Sequence, residues 1–238
     1  MKKQLIALSL CASFSSLALA EDYQFDVAGS ISRLNSDAAG ADDTILGAGI
    51  QYHFKAVDTS KGPLAEAAFL TRSSNVSALQ FYSNETDEDA TTLAAEVYIP
   101  NTMFYAAVAH TIWDSNDTTT FNFGLTPLDG LLVTTSYNDD VDYDPNINAK
   151  YLMPLDGDNS LVLRGGLVIG DDDEAFTAGA DYYLNRYTGV GFNITDSYGD
   201  TTTELHVEHF FLDDAYAGIS YAMGENDDLV TVHAGFRF

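Results

Sequence analysis

The last ten residues decide the fold: Leu229-Val230-Thr231-Val232-His233-Ala234-Gly235-Phe236-Arg237-Phe238. Read at a period of two, one face of this stretch is apolar and the opposite face is polar or glycine, which predicts a β-strand. The apolar face carries Val230, Val232, Ala234, Phe236 and Phe238. In a membrane barrel such a face meets lipid while the polar face lines the lumen. A half-buried strand of a soluble sandwich alternates in the same way, so the rest of the chain must decide.

The N-terminal residues predict a cleaved secretory signal peptide over residues 1–20. Lys2 and Lys3 precede an apolar run, and the run ends on the small-x-small sequence Ala18-Leu19-Ala20. This order is typical of a signal peptide, and the run is short for a membrane span. We therefore expect residues 21–238 to form a single mature domain. Cleavage would remove the only cysteine, Cys11, so we expect no disulfide in the mature chain.

Composition excludes several classes of protein. The chain has 36 acidic residues, and loss of Lys2 and Lys3 would take its formal net charge from −26 to −28. Such an acidic chain is unsuited to nucleic acid. Its 14 Tyr and 14 Phe are equally unsuited to disorder. No stretch after the signal peptide has 18 consecutive apolar residues, which excludes a helical membrane protein.

The alternation of the last ten residues recurs along the whole mature chain. The first two alternating segments are Tyr23–Leu34 and Thr44–Phe54, and a third runs from Leu64 past Arg72 towards Tyr82. We count about fourteen segments and no helical period. The prediction is an all-β fold, a transmembrane antiparallel up-and-down β-barrel of about 14 strands, with 12 or 16 as alternatives. The terminal strand should pair with Tyr23–Leu34 to close it.

Charge is sorted between alternate links, which favours a membrane barrel over a sandwich. The odd-numbered links hold most of the acid, as in Glu85–Asp89 and Asp139–Asp144. The even-numbered links are mostly shorter turns and hold Lys55, Lys61 and Arg186. Barrels with both termini in the periplasm place odd links outside. We therefore predict the outer membrane of a Gram-negative bacterium, with periplasmic termini.

Two stretches resemble known proteins. Residues 62–70, Gly62-Pro63-Leu64-Ala65-Glu66-Ala67-Ala68-Phe69-Leu70, are similar to the small, general-porin-like families of Gram-negative outer membranes. The terminal residues 233–238 resemble the C-terminal signal of outer-membrane barrels, with Val232, Phe236 and Phe238 as insertion-signal residues. The resemblance implies passive diffusion of small hydrophilic solutes and assembly by the barrel-insertion machinery, among lipid and lipopolysaccharide. We expect no link to be long enough to fold inward as a large constriction, which leaves the oligomeric state open.

The less apolar face of each strand should point inward, because Arg or Lys facing lipid at mid-membrane costs about 2–4 kcal/mol. The charged and titratable residues predicted to line the pore are Asp26, His53, Glu66, Arg72, Glu96, Lys150, Arg164, Asp181, Glu204, His206, Glu208, His233 and Arg237. The basic members either create a field that selects solutes or neutralise nearby acids. Numerous small inward residues favour an open narrow pore over a plug.

Catalytic and metal sites are not expected. In His206-Val207-Glu208-His209 a strand would point His206 and His209 to opposite faces, so they cannot share a metal. The acidic loops favour a solvated rim over a Ca²⁺ site. Periodicity brings no nucleophile, base and acid together. We therefore expect neither an enzyme nor a cofactor.

These observations predict an outer-membrane porin that passes small hydrophilic solutes or ions through a narrow water-filled barrel. One alternative is a closed structural or adhesive barrel whose acidic loops meet cations. Another is a channel specific for small acids or sugars. The positions of Arg72, Lys150 and Arg164 should discriminate, according to whether they border water or are held in salt bridges.

Overall fold

The chain folds into a closed barrel of fourteen strands, each hydrogen-bonded to its sequence neighbours, with the last strand returning to the first. The computed structural model describes residues 22–36, 42–113, 116–140, 145–169, 174–197 and 199–238, so the signal peptide predicted at 1–20 lies outside it. The strands are β1 Tyr23–Ser36, β2 Asp43–Val57, β3 Asn75–Ser83, β4 Asp89–Tyr98, β5 Phe104–Trp113, β6 Asn116–Leu128, β7 Leu131–Asn138, β8 Asn146–Pro154, β9 Ser160–Ile169, β10 Glu174–Asn185, β11 Thr188–Ser197, β12 Asp200–Phe210, β13 Ala215–Met223 and β14 Asp227–Arg237. The predicted barrel of about 14 strands is confirmed.

The predicted pairing of the terminal strand with the first strand is also confirmed. In the β1–β14 register Val232 lies opposite Ile31, and Arg237 lies opposite Asp26. The carbonyl oxygen of Phe238 accepts hydrogen bonds from the backbone N–H groups of Gln24 at 2.9 Å and Phe25 at 2.7 Å. Closure therefore extends to the last residue of the chain.

The outer face of the barrel is apolar. It carries large side chains such as Ile31, Phe123 and Leu167, which are 53%, 57% and 54% exposed. Exposing such side chains to water is unfavourable, whereas exposing them to lipid is favourable. The closed ladder leaves no strand edge with unpaired backbone groups in that lipid. Among the described residues, no helix has the length and apolar character to cross a membrane.

The links are divided between the two ends of the barrel. The termini and the even-numbered links lie at what we call the terminal end, and the odd-numbered links lie at the opposite end, which we call the loop end. Most even-numbered links are short turns, as predicted. The link between β2 and β3 is the exception: it comprises residues 58–74, which we call the insert.

The insert folds as a short helical segment in place of the predicted third strand. Its first turn is set by Asp58, whose carboxylate accepts hydrogen bonds from the Ser60 backbone N–H at 2.9 Å and hydroxyl at 2.5 Å. These bonds hold the pKa of Asp58 below its ordinary value. Pro63 then leads into a 3-10 turn, Leu64–Glu66, and a one-turn helix α1, Ala67–Leu70. The strand predicted from Leu64 is therefore wrong, because proline followed by Ala, Glu and Leu favours a helical turn.

The insert crosses the inside of the barrel. On one side Ala67 packs with Tyr23 of β1 and Val57 of β2. On the other side Ala65, Phe69 and Leu70 pack against a buried cluster on β8, β9 and β10, formed by Leu152, Val162 and Tyr183. Leu64 and Pro63 are fully buried. The expectation that no link folds inward is therefore wrong, whereas the open, narrow pore stays a prediction.

Replacing Phe238 by alanine should lower the yield of assembled barrel severalfold. The Phe238 ring stacks on Phe25, with centroids 5.2 Å apart, and lies 6.3 Å from the Phe236 ring. Each such aromatic pair contributes about 0.5–1.5 kcal/mol beyond its buried area. The measurement is the heat-modifiable, folded fraction after refolding into lipid vesicles. Phe211→Ala is the matched control, because Phe211 is 67% exposed on a turn at the same end. Equal yields for the two variants would contradict this role.

Candidate functional site

A cavity of about 800 Å³ lies inside the barrel and is the centre of the candidate site. Residues from eight successive strands, β7 to β14, border it together with Ala65 and Glu66 of the insert. One cavity can touch eight neighbouring strands of a closed barrel only from within, so it is the lumen. The predicted pore residues on its wall are Glu66, Lys150, Arg164, Asp181, Glu204, His206, Glu208 and His233.

Glu66 is the charged group that the insert brings into the lumen. Its side chain is only 4% exposed, and Lys150 Nζ of β8 lies 2.5 Å from its Oε2. Arg164 of β9 approaches the same carboxylate at 3.8 Å, and the Tyr183 hydroxyl donates to it at 3.2 Å. Lys150 also lies over the Phe69 ring at 4.5 Å. A carboxylate buried this deeply needs such partners, because an unpaired buried charge is strongly unfavourable.

Arg164 continues this cluster along the wall. It forms a salt bridge with Asp181 of β10, whose second oxygen is 2.8 Å from Nε2 of His206 on β12. Gly191 of β11 lies between Asp181 and His206, and a Cβ at this position would collide with both side chains. The small residue therefore leaves the space in which the two side chains meet. The result is a continuous chain of ion pairs and hydrogen bonds that runs from Lys150 through Glu66, Arg164 and Asp181 to His206.

A second ionic cluster lies at the terminal end and is built around Arg237. Its Nε donates to Asp26 at 2.7 Å, and Nη1 donates to the Leu64 carbonyl of the insert at 2.9 Å. Its guanidinium also lies over the rings of Tyr23, Phe210 and Tyr216, at 4.7, 4.6 and 5.0 Å. The Arg237 side chain is 8% exposed. The closing strand is thus bonded directly to the insert.

Three lumen carboxylates contact histidine or asparagine side chains in place of lysine or arginine. Glu208 pairs with His233 at 3.2 Å, Glu204 lies 3.6 Å from His206, and Glu96 accepts from the Asn75 amide at 3.1 Å. Within the described part of the chain, neither lysine nor arginine forms a salt bridge with any of these three. Their negative charge is therefore less fully compensated than that of Glu66, Asp181 or Asp26.

The remaining predicted residues lie near the terminal end. His53 is fully buried, with Nδ1 2.9 Å from the Ser73 hydroxyl of the insert. Arg72 is not on a strand: its φ of 49° ends α1, and its guanidinium pairs with Asp129 in the β6–β7 turn at 3.2 Å. Glu66 likewise lies on the insert and not on the predicted strand. Placing Arg72 and Glu66 on a strand was wrong. The role of the whole set in permeation stays a prediction.

Sequence reasoning missed the residues that position the insert. Leu64 accepts from Arg237 and donates its backbone N–H to the Arg186 carbonyl at 2.8 Å, and Arg186 donates to the Thr59 carbonyl at 2.9 Å. Tyr183, whose hydroxyl donates to Glu66, was also missed. Among the described residues, no group of three or more His, Cys, Asp or Glu is arranged to hold a metal.

The fold and lumen define a β-barrel channel of the outer membrane. The family model described as "Putative general bacterial porin" matches residues 1–125 and 116–237, and the chain belongs to that family. It is therefore an outer-membrane porin, and its family and fold are those of a channel rather than an enzyme. The predicted family is confirmed.

Solved structures show the same fold. Acinetobacter baumannii outer membrane protein Omp33 is 24% identical, with 92% of this chain and all of that chain covered and a TM-score of 0.81. Pseudomonas putida OprB at low pH is 9% identical over 91% of this chain and 92% of that one, with a TM-score of 0.52. The KdgM porin in complex with disordered oligogalacturonate is 12% identical over 89% and 99%, with a TM-score of 0.50. The comparison with curated proteins finds no match.

Arg237→Met should destabilise the barrel by roughly 3–5 kcal/mol, because it leaves the Asp26 carboxylate without its cation. Asp26→Asn in the same chain should recover a large part of this loss. Equilibrium urea unfolding in lipid vesicles gives the free energies of both single variants and the double variant. Losses that simply add, within about 0.5 kcal/mol, would mean that the two side chains are not coupled.

Proposed function

We propose that the protein is a narrow, passive, cation-preferring porin, and that solutes cross it through the space the insert leaves in the lumen. No catalytic step is involved. The single observation that carries the cation preference is the pairing of charge inside the barrel. Lys150, Arg164 and Arg237 each face a carboxylate, whereas Glu96, Glu204 and Glu208 form no salt bridge with a lysine or arginine of the described ranges.

The fixed charge of the lumen supports this preference. Of the predicted pore residues, six are carboxylates and four are lysine or arginine: Asp26, Glu66, Glu96, Asp181, Glu204 and Glu208 against Arg72, Lys150, Arg164 and Arg237. Arg72 is itself paired with Asp129 of the β6–β7 turn. A low-dielectric wall focuses this negative field along the lumen, which raises the local concentration of cations. A channel for acidic solutes would need unpaired basic side chains on its wall, whereas Lys150, Arg164 and Arg237 are paired with carboxylates.

The width of the path supports small solutes only. A barrel of this strand number lies between those filled by side chains and those with wide channels. The insert reduces the width of the path further, because it extends across the lumen from the β1–β2 side to the β8–β10 wall. The same observation favours a second candidate function, a structural barrel of very low permeability, which conductance measurements separate from the first.

We also propose how the barrel is oriented in the membrane and how it is assembled there. Cleavage after residue 20, periplasmic termini and acidic loops facing outward would place the insert in the periplasmic half. The Val232, Phe236 and Phe238 face would be read by the barrel-assembly machinery, and lipid and lipopolysaccharide would surround the apolar belt. Nucleic acid is not a partner for so acidic a chain.

Glu66→Gln should shift permeation towards anions. Removing this carboxylate leaves Lys150 and Arg164 with one fewer negative partner, so the permeability ratio of K⁺ to Cl⁻ should fall by about two- to fivefold. The measurement is the reversal potential of single channels in planar bilayers under a KCl gradient. Asp156→Asn removes the same charge from the exposed β8–β9 link at the terminal end and serves as the matched control.

Two results would overturn the proposal. A folded wild-type barrel that never conducts would leave the structural-barrel function in its place. A conducting barrel that prefers Cl⁻, or whose reversal potential is the same for Glu66→Gln as for Asp156→Asn, would contradict the assigned charge selection.

A further inference from the structure

Three large apolar side chains lie on the inward face of the barrel near its loop end. A Cβ on Gly49 would meet Leu79 Cδ2 at 2.8 Å, and one on Gly47 would meet Phe81 Cε1 at 3.0 Å. Gly47 and Gly49 share their face of β2 with His53, which contacts the insert inside the barrel. Leu79 and Phe81 of β3 therefore project into the lumen and not into lipid.

Trp113 of β5 lies on the same face. Thr92 and Glu96 lie on the same, inward face of β4. The hydroxyls of Thr92 and Thr111 are 2.9 Å apart, so Thr111 of β5 also points inward. Trp113 follows two residues later in an unbroken register. Side chains two apart on a strand share a face, so Trp113 also points inward. We call Leu79, Phe81 and Trp113 the apolar strip.

The strand register brings the two rings to one level. Ala90 of β4 is the partner of both Phe81 and Trp113. The rings thus lie two strands apart, about 10 Å, with only a methyl group between them. Their faces are open: Phe81 is 41% and Trp113 is 46% exposed, as is Leu79 at 41%. The strip lies at the barrel end opposite the insert, where β3 and β5 finish.

This strip is unlike the rest of the inward face, which is mostly polar as in other water-filled barrels. The exposed part of these side chains gains nothing from the folding of the barrel, since it meets water before and after. A solute with an apolar surface would cover them and remove that area from water. The faces of Trp and Phe also attract cations through the charge distribution of the ring.

Acidic groups beside the strip indicate which solutes it takes. The β3–β4 link begins three residues after Phe81 on the chain, and its Glu85, Asp87 and Glu88 are exposed at the same end of the barrel. Deeper in the lumen lie Glu96 and Glu204, which no lysine or arginine neutralises among the described residues. We propose that the apolar strip is an entry subsite for small organic cations that carry an apolar face, such as substituted ammonium compounds. This inference rests on the proposed cation preference.

The sequence offers a built-in reporter, because Trp113 is the only tryptophan. The experiment titrates the folded barrel in detergent micelles with benzyltrimethylammonium chloride and follows tryptophan fluorescence. We expect a saturable change, and a dissociation constant raised about tenfold or more in both Phe81→Ser and Leu79→Ser. Phe211→Ser, which removes an exposed phenyl ring from the terminal end, should leave it unchanged.

A fluorescence change that does not saturate, an equal dissociation constant in all variants, or equally tight binding of benzoate or benzyl alcohol would overturn the subsite. Heat-modifiable mobility confirms that each serine variant is folded. Because binding in micelles requires no conduction, a failure here is distinguishable from a failure of the cation preference, which the reversal potential measures separately.

Discussion

The hydrogen bonds between β1 and β14 are the constraint on which the rest of the molecule depends. In lipid each unpaired backbone N–H or C=O costs several kcal/mol, so the sheet must close. Closure extends to the carbonyl of Phe238. The same strand carries Val232 and Phe236 outward and Arg237 inward, and Arg237 donates to the Leu64 carbonyl. One strand thereby completes the barrel, meets the lipid and holds the insert.

The insert explains why basic residues lie in so acidic a protein. Glu66 is buried inside the barrel and would be costly to place there alone, and Lys150 and Arg164 compensate it. Arg72, at the other end of the same segment, pairs with Asp129. The basic residues therefore serve mainly to stabilise carboxylates and the insert. The uncompensated charge left to the lumen is negative, which is the basis of the proposed selectivity.

The sequence predicts the barrel well because each strand has lipid on one face and water on the other, so that the pattern of residues 229–238 is direct physical evidence. It predicts the inward face of Asp181, His206 and Arg237 for the same reason. It does not predict the insert. A four-residue helix is stabilised by tertiary packing and not by propensity, so only Pro63 and the following alanines indicate it. Contacts such as Glu66 with Lys150 join distant segments, and alternation carries no information about them.

The central claim is that the insert limits passage through the lumen. Single-channel conductance of a variant with residues 63–72 replaced by a short Gly-Ser linker tests it most directly, with β2, β3 and the rest of the barrel unchanged. Loss of Leu64, Glu66 and α1 should open the space between the β1–β2 side and the β8–β10 wall. The account predicts a folded barrel whose conductance is clearly higher than that of the wild type. A folded variant with unchanged conductance would contradict it.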